Sequence, residues 1–288
     1  MTKKAVLVDG SGFIYRSYYA SPKLTTVDGQ PVGAVYGFCA MLIHLLQHRM
    51  SDVFVIVLDC GRDTFRPEIY PQYKANRSET PDDLKLQFPL IQEACEAFGI
   101  STISKKGFEA DDIIATYACD LASKNCDVEI VSSDKDLMQL ISDRISIFDA
   151  MHSKTIIRED VVEKYGVPPE LMTQLQALMG DSVDNIPGVA GVGPKTAAKL
   201  ILQYNTLDNL YNHIDEITPL KLRDKLLNDK DNAFISLKLV TLLQNVDVEK
   251  KYTSVHYSSG RIKEFLRKYN FTSLLNRVDR ISPCISMF

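Results

Sequence analysis

The chain has 288 residues, 45% apolar and 24% charged, which suits one large folded body or a main body with an appendage and excludes whole-chain disorder. Its net charge of -4 excludes a protein that coats nucleic acid through bulk positive charge, so any such contact needs local basic patches or bound cations. Cys39, Cys60, Cys95, Cys119, Cys126 and Cys284 contain no Cys-x-x-Cys, and no histidines stand at zinc-finger spacing, so reduced intracellular thiols are expected.

The N-terminal MTKKAVLVDG moves directly into a short apolar run ending in an acid, without a signal-peptide pattern. No apolar run is long enough to span a membrane, so a cytoplasmic location is expected. A strand is predicted over Ala5–Val8, ending at Asp9. GFIYRSYYA follows, and since some aromatics beside a first strand must pack, only Tyr15 and Arg16 stand out as candidate nucleic-acid contacts. A helix is predicted over Ala34–Arg49 and a strand over Val53–Leu58, ending at Asp59. Behind it, FRPEIYPQYKANRSETPDDL carries Arg66, Lys74 and Arg77 interleaved with Tyr70 and Tyr73, with Arg62 just before.

Helices are predicted over Pro81–Phe98 and Glu109–Lys124, the second opening on Glu109, Asp111 and Asp112 in GFEADDIIATYA. Strands are predicted over Val128–Val131, leading into Asp134 and Asp136 of SSDKD, and over Ile145–Phe148. Alternating strands and helices read as α/β with a mainly parallel sheet flanked by helices. From about Pro168 strand-like runs nearly vanish, leaving helices over Pro169–Leu178, Pro194–Tyr204, Pro219–Leu227, Asp231–Leu243 and Ser259–Tyr269. The expected division is an α/β core over 1–167 and a helical region over 168–288.

In open α/β sheets ligands collect outside the carboxyl ends of the strands, so Asp9, Asp59, Asp134 and Asp136 should converge on one crevice. Glu109, Asp111 and Asp112 at a helix start, and Asp181 and Asp184 one helical turn apart, bring the carboxylates to nine. Singly, each acid reads equally well as a turn, a helix cap or a solvated face. Together, with no histidine or cysteine pattern around them, they suit hard divalent cations such as Mg²⁺ or Mn²⁺. Two such ions could activate water and stabilise the leaving oxygen of a phosphodiester without a side-chain nucleophile.

Lys74 and Arg77, with Tyr73, are the candidate catalytic residues beside the acids, and Arg66 joins the candidate nucleic-acid contacts; the alternative is a solvated loop. GVAGVGPKTAAKLI resembles the second half of a helix-hairpin-helix, whose glycine turn offers backbone N–H groups to a phosphate. Gly191 and Gly193 permit the turn, Pro194 takes the first helical position, and Lys195, Thr196 and Lys199 line the helix start. Its alternative is an ordinary helix start with exposed lysines.

Taken in order, LVDGSGFIYRSYYA, PVGAVYGF, FRPEIYPQYKANR, GFEADDIIAT, SSDKDLMQL and GDSVDNIPGVAGVGPKTAAKLI resemble the 5′-nuclease family. This family comprises the 5′ to 3′ exonuclease domain of bacterial DNA polymerase I, phage 5′-exonucleases and flap endonucleases. The resemblance implies a PIN-like fold with a helical arch at about 66–100 and a helix-three-turn-helix at about 175–204. It implies a structure-specific exonuclease and flap endonuclease acting on DNA with a 5′ flap or nick, in replication and repair. One divalent ion would sit mainly on Asp9, Asp59, Glu109 and Asp111 and a second on Asp134, Asp136, Asp181 and Asp184, with Asp111 and Asp112 near both. Lys74 and Arg77 match basic positions of the arch, and a K⁺ would sit on the carbonyls of the glycine turn.

Cys60 departs from the family pattern, standing after Asp59 where a small residue is expected. Polymerase I continues into further domains where this sequence ends at ISPCISMF, which leaves a stand-alone nuclease and an excised domain both open. The expected enzyme is a monomer without membrane association, working beside a separate DNA polymerase and ligase. The competing readings are a non-catalytic DNA-structure-binding module and a small-molecule phosphohydrolase.

Overall fold

The computed structural model describes residues 2–21, 23–49, 51–249 and 257–281, so Cys284 lies outside the described residues. Six strands form one sheet in the order β3-β2-β1-β4-β5-β6. They are β1 (Lys4–Asp9), β2 (Val53–Val57), β3 (Ser101–Ile103), β4 (Asp127–Val131), β5 (Ile145–Asp149) and β6 (Lys154–Ile156). β1 through β5 run parallel, and β6 closes one edge antiparallel to β5. β2 reads VFVIV and is buried at every position, the pattern of a strand covered on both faces.

Leu7, Val55, Ile130 and Ile147 face the Ala110–Ser123 helix and the helices between residues 158 and 240. Val6, Val8, Phe54 and Ile56 face the Gly10–Ala20, Gly33–His48 and Phe88–Phe98 helices. The chain then returns to this second face, because Ile262, Phe265 and Leu266 of the Ser259–Lys268 helix and Leu274 and Val278 of the Thr272–Val278 helix share its cluster. The helical C-terminal part therefore shares most of its core with the sheet, and a small separate cluster joins Ile186, Leu239 and Val240 to Tyr73. Each such buried side chain contributes about 1.5–3 kcal/mol, so the last helices stabilise the sheet they cover.

The structure differs from the sequence reading where local signals conflict. GFIYRSYYA lies in a helix, Gly10–Ala20, whose first turn contains two glycines and is stabilised by the Asp9 carboxylate accepting from the Gly12 N–H at 3.0 Å. The helix expected over Pro81–Phe98 splits into Asp82–Lys85 and Phe88–Phe98, the second with Pro89 in its first turn. At the break the Gln87 side chain turns away and accepts from the Ala34 N–H at 2.8 Å, capping the Gly33–His48 helix. β3 and β6 have only three residues each, too few for a periodic signal. Among the described residues no helix is long and apolar enough to cross a membrane.

Two features of topology place the functional residues. Successive connections step outward from β1 to β2 to β3, then return to insert β4 on the other side of β1, so a crevice opens at the carboxyl ends of β1 and β4. Beside it the Met172–Met179 and Pro194–Tyr204 helices are joined by a turn in which Gly180 and Gly188 have φ of 68° and 59°. The two glycines stack backbone on backbone, and a Cβ on Gly188 would lie 2.4 Å from the Gly180 nitrogen. We expect Gly188→Ala to cost about 2–4 kcal/mol through strain and this clash, read as a lowered thermal midpoint; an unchanged midpoint would show that the turn yields freely.

Candidate metal centre and nucleic-acid interface

The crevice is lined by carboxylates that the folding of the main chain leaves no room to separate. Asp9 ends β1 and accepts from Ser132 Oγ at 2.9 Å, the residue directly after β4. Asp59, just beyond β2, accepts from the Ala110 N–H at 2.8 Å and so touches the helix that carries Glu109 and Asp111. Asp134 accepts from the Asp136 N–H at 2.9 Å, and Asp136 accepts from the Gln176 side-chain amide of the Met172–Met179 helix.

Burial and like charge act together here. Burial, with the neighbouring Asp59 and Asp134 carboxylates, raises the Asp9 pKa to about 6. Burial raises Asp136 to about 7, helped by Asp134 and Asp184. Asp111 is lifted well above the usual range by burial and then by Asp134, Asp9 and Asp59. Metal-free, this crevice retains protons that a dication would displace.

Cations already stand among the acids. Lys74 Nζ lies 2.8 Å from Glu109 Oε2 and 3.6 Å from Asp184 Oδ2, while Arg77 pairs with Asp184 Oδ1. Lys135 Nζ pairs with Asp181 at 2.6 Å. The arch segment rests on the acid loop through Lys74 N–H to the Asp184 carbonyl at 2.9 Å, Asn76 to the Ser182 carbonyl at 3.0 Å and Asn185 to the Gln72 carbonyl at 2.7 Å. Lys74 holds a left-handed backbone, φ 55°, to make this turn.

Among the described residues, no three acidic, cysteine or histidine side chains yet close on one point within metal-ligand reach. The donor chemistry nonetheless suits a hard dication: oxygens only, mutually repelling, with raised proton affinity at Asp9, Asp111 and Asp136. Ions entering the crevice would have to draw these carboxylates inward and loosen Lys74, Arg77 and Lys135.

Three candidates are given other parts by the structure. Asp112 is 0% exposed and takes both Arg66 nitrogens, at 2.7 and 2.8 Å, together with the Leu243 N–H at 3.0 Å, which corrects its reading as a metal ligand. Arg66 is 1% exposed, so it is withdrawn from the nucleic-acid contacts. Tyr73 is 7% exposed and donates its hydroxyl to Glu109 at 3.1 Å, so it orients an acid and offers no face for stacking. A signal for the first two existed in the sequence only as an arginine and an aspartate 46 residues apart, which no local pattern connects.

The remaining basic and glycine candidates are accessible. Lys195 and Lys199 are exposed on one face of the Pro194–Tyr204 helix, with Thr196 half-buried and Gly191 and Gly193 exposed before them. The first-turn amides of that helix have no intrahelical acceptor and point beyond Gly193. Tyr15 is exposed, with its hydroxyl 2.7 Å from Thr80 Oγ1, and Arg16 bonds Ser133 Oγ between the β1 and β4 ends of the crevice. Gln176, Lys135 and Ser132 were missed by sequence reasoning: Ser132 and Lys135 stand within SSDKD, where only the aspartates drew notice, and Gln176 belongs to no charge-rich motif.

A mostly parallel α/β sheet with an acid-lined crevice at its switch point, beside a paired-helix glycine turn, is the architecture of the 5′-nuclease class. Phage T5 flap endonuclease, solved as a pseudo-enzyme–product complex with DNA and metal ions, shares the fold with TM-score 0.72 and 22% identity, over 96% of this chain and all of that one. The catalytic core of Rad2 in complex with DNA substrate gives 0.66 and 20%, over 97% and 93%. Residues 4–166 match the family model of the 5′-3′ exonuclease N-terminal resolvase-like domain, and 167–263 that of its C-terminal SAM fold. The chain belongs to the 5′-3′ exonuclease family. It is 47% identical over 289 residues to DNA polymerase I of Rhizobium leguminosarum, covering 96% of this chain and 28% of that protein. It is 36% identical over 282 residues to the 5′-3′ exonuclease of Aquifex aeolicus, covering 97% and 96%.

The raised acids make a pH prediction. A carboxyl whose pKa is higher folded than unfolded stabilises the fold below its unfolded value of 3.8, and that stability is lost as pH rises through the folded values of about 6 and 7. In EDTA the protein should therefore be less stable at pH 8 than at pH 5, by on the order of 4 kcal/mol, seen as a lower melting temperature, and Mg²⁺ should abolish most of the difference. Melting curves with the same pH dependence in EDTA and in Mg²⁺ would count against ion binding at these acids.

Proposed function

We propose that this chain is a divalent-metal-dependent 5′-3′ exonuclease and flap endonuclease that hydrolyses phosphodiesters of DNA at 5′ flaps, nicks and primer ends in replication and repair. The observation that carries the reading is the crowding of Asp9, Asp111 and Asp134 at the β1/β4 crevice, with Lys74 and Arg77 held against the same acids. In this reading residues 1–167 form the catalytic core with its arch at about 66–100. Residues 168–288 form the helical region, with the duplex-binding element at about 175–204.

Asp9, Asp59, Glu109 and Asp111 would hold one Mg²⁺ or Mn²⁺ ion, and Asp134, Asp136, Asp181 and Asp184 a second. Bound there, such ions supply an activated water and neutralise charge on the leaving oxygen. Tyr73 holds the Glu109 carboxylate in place by its hydrogen bond. Lys74 and Arg77, held against Glu109 and Asp184, would on release offer their charge to the phosphate that those acids otherwise repel. Lys195, Lys199 and the amides beyond Gly191 and Gly193 take duplex phosphates, with Thr196 beside them and a K⁺ on the turn's carbonyls. Arg16, bonded to Ser133 beside the crevice, and Tyr15, on the same Gly10–Ala20 helix and bonded to Thr80, would contact the unpaired strand near the cut. The protein works in the cytoplasm as a monomer, beside a polymerase and a ligase.

The experiment is gel-resolved cleavage of a 5′-flap duplex labelled at the 3′ end of the flap strand, in Mg²⁺ and in EDTA, beside single-stranded and blunt controls. Cutting at the junction only in Mg²⁺ is expected, and intact flap binding without cutting would favour a non-catalytic module. Asp134→Ala should remove cleavage by at least about 10³-fold while DNA binding in Ca²⁺ persists; cleavage at the wild-type rate would sink its role. Lys74→Ala should slow cleavage about 10²–10³-fold with Mg²⁺ binding unchanged or tighter, because the lysine that competes for Glu109 is gone. Weakened Mg²⁺ binding in calorimetry would reassign Lys74 to the acids.

A further inference from the structure

The Arg66–Asp112 pair is the most thoroughly buried charge pair described in the molecule, and the reading above gives it no part in holding ions or DNA. Each partner is fully engaged. Arg66 gives Nη1 and Nη2 to the two Asp112 oxygens at 2.7 and 2.8 Å and Nε to the Leu239 carbonyl at 2.8 Å. Asp112 accepts further from the Leu243 N–H at 3.0 Å and from the Glu109 N–H at 3.3 Å. With four donors on its two oxygens, Asp112 has no geometry left for an ion.

What the pair joins gives it a use. Arg66 opens the short Arg66–Ile69 helix at the foot of the arch segment, eight residues before Lys74. Asp112 lies in the first turn of the Ala110–Ser123 helix, between Glu109 at its cap and the core, and one residue after Asp111. Leu239 and Leu243 belong to the Lys230–Val240 helix and its exit, and that helix packs along Met172–Met179, the first helix of the glycine-turn element. The same helix holds the turn directly, because Ser236 Oγ accepts from the Gly188 N–H at 2.9 Å. Neighbouring bonds reinforce the joint: Gln139, just after Asp136, donates to the Val240 carbonyl at 2.9 Å and accepts from the Leu242 N–H at 3.1 Å.

We propose that Arg66 and Asp112 are positioning residues: a buried joint that sets the Glu109–Asp111 turn, the foot of the arch and the helix behind the duplex-binding turn in one fixed relation. The inference rests on the metal-dependent reading above. Arg66 Nη1 also lies 3.6 Å from Glu109 Oε2, so the joint fixes the acid's carboxylate as well as its backbone. The chemistry explains why an ion pair occupies a place that apolar side chains could fill. A buried pair adds little net stability over well-packed apolar residues, but a planar fork on a carboxylate admits one orientation. Outer groups that orient ion-binding side chains commonly affect ion affinity 10- to 100-fold.

The test separates holding the fold from setting the site. Arg66→Met combined with Asp112→Leu replaces the pair by apolar side chains of similar size. Thermal melting and calorimetric titration of the metal-free protein with Mg²⁺ alone are then compared with wild type. The double variant should melt lower than wild type, because the Leu239 carbonyl and the Leu243 and Glu109 amides lose their partners, and while still folded it should bind Mg²⁺ at least about 10-fold more weakly. Its flap cleavage at saturating DNA should fall while KM for the flap holds. A folded double variant with wild-type Mg²⁺ affinity overturns the proposal. Should the double variant not fold, Arg66→Lys, which keeps the charge and loses the fork, takes its place with the same two outcomes. Failure of the wild-type protein itself to bind Mg²⁺ and to cut a flap would overturn the function on which the inference rests.

Discussion

Repulsion among carboxylates that cannot move apart is the constraint on which the rest of the structure depends. The sheet order brings the ends of β1 and β4 together, so Asp9 and Asp134 face one another across a crevice that water only partly enters. A fold that buries such charge must answer it with protons, with its own cations or with bound ions. This chain shows the first two, in the raised acids Asp9, Asp111 and Asp136 and in Lys74, Arg77 and Lys135 set against Glu109, Asp184 and Asp181. The third is what the oxygen-only donor set suits best.

That constraint also orders the surroundings. The arch segment is held down by the acids it would serve, through Lys74 and Arg77 and through backbone bonds at Asp184 and Ser182. The glycine turn is fixed from beneath, since Gly180 and Gly188 pack without side chains and Ser236 caps the Gly188 amide. Its exposed lysines thus stand on a rigid base, whereas the basic residues of the arch are paired with the crevice acids themselves. An acidic protein can in this way meet a polyanion through a few placed cations and a site prepared for more.

Not every acid in the cluster serves the crevice. Asp112 stands in the same sequence motif as Glu109 and Asp111, yet its side chain turns inward to Arg66 and the Leu243 amide. One helical position separates it from Asp111, about 100° around the axis, enough to send one carboxylate to the crevice and its neighbour to the core. Tyr73 likewise turns from the surface to Glu109. Motif membership and chemical role divide within a single turn.

The sequence by itself determined the chemistry and the outline. Of the parallel strands, β1 and β2 were legible because their centres are buried on both faces and read as unbroken apolar runs, whereas β3, three residues long, left no such signal. The acids at their ends were legible because strand ends share one edge of an α/β sheet, and the glycine turn because Gly-x-Gly-Pro-Lys fixes its own backbone locally. Tertiary structure alone decided what depends on partners far along the chain. It turned Gly10–Ala20 into a helix against its glycines, and broke Pro81–Phe98 where Gln87 caps another helix. It withdrew Arg66 and Asp112 into a joint spanning 46 residues, and carried the last helices back to the sheet's second face. Local sequence sets what each residue can do, but burial and long-range pairing, which have no local signature, set which of those things it does.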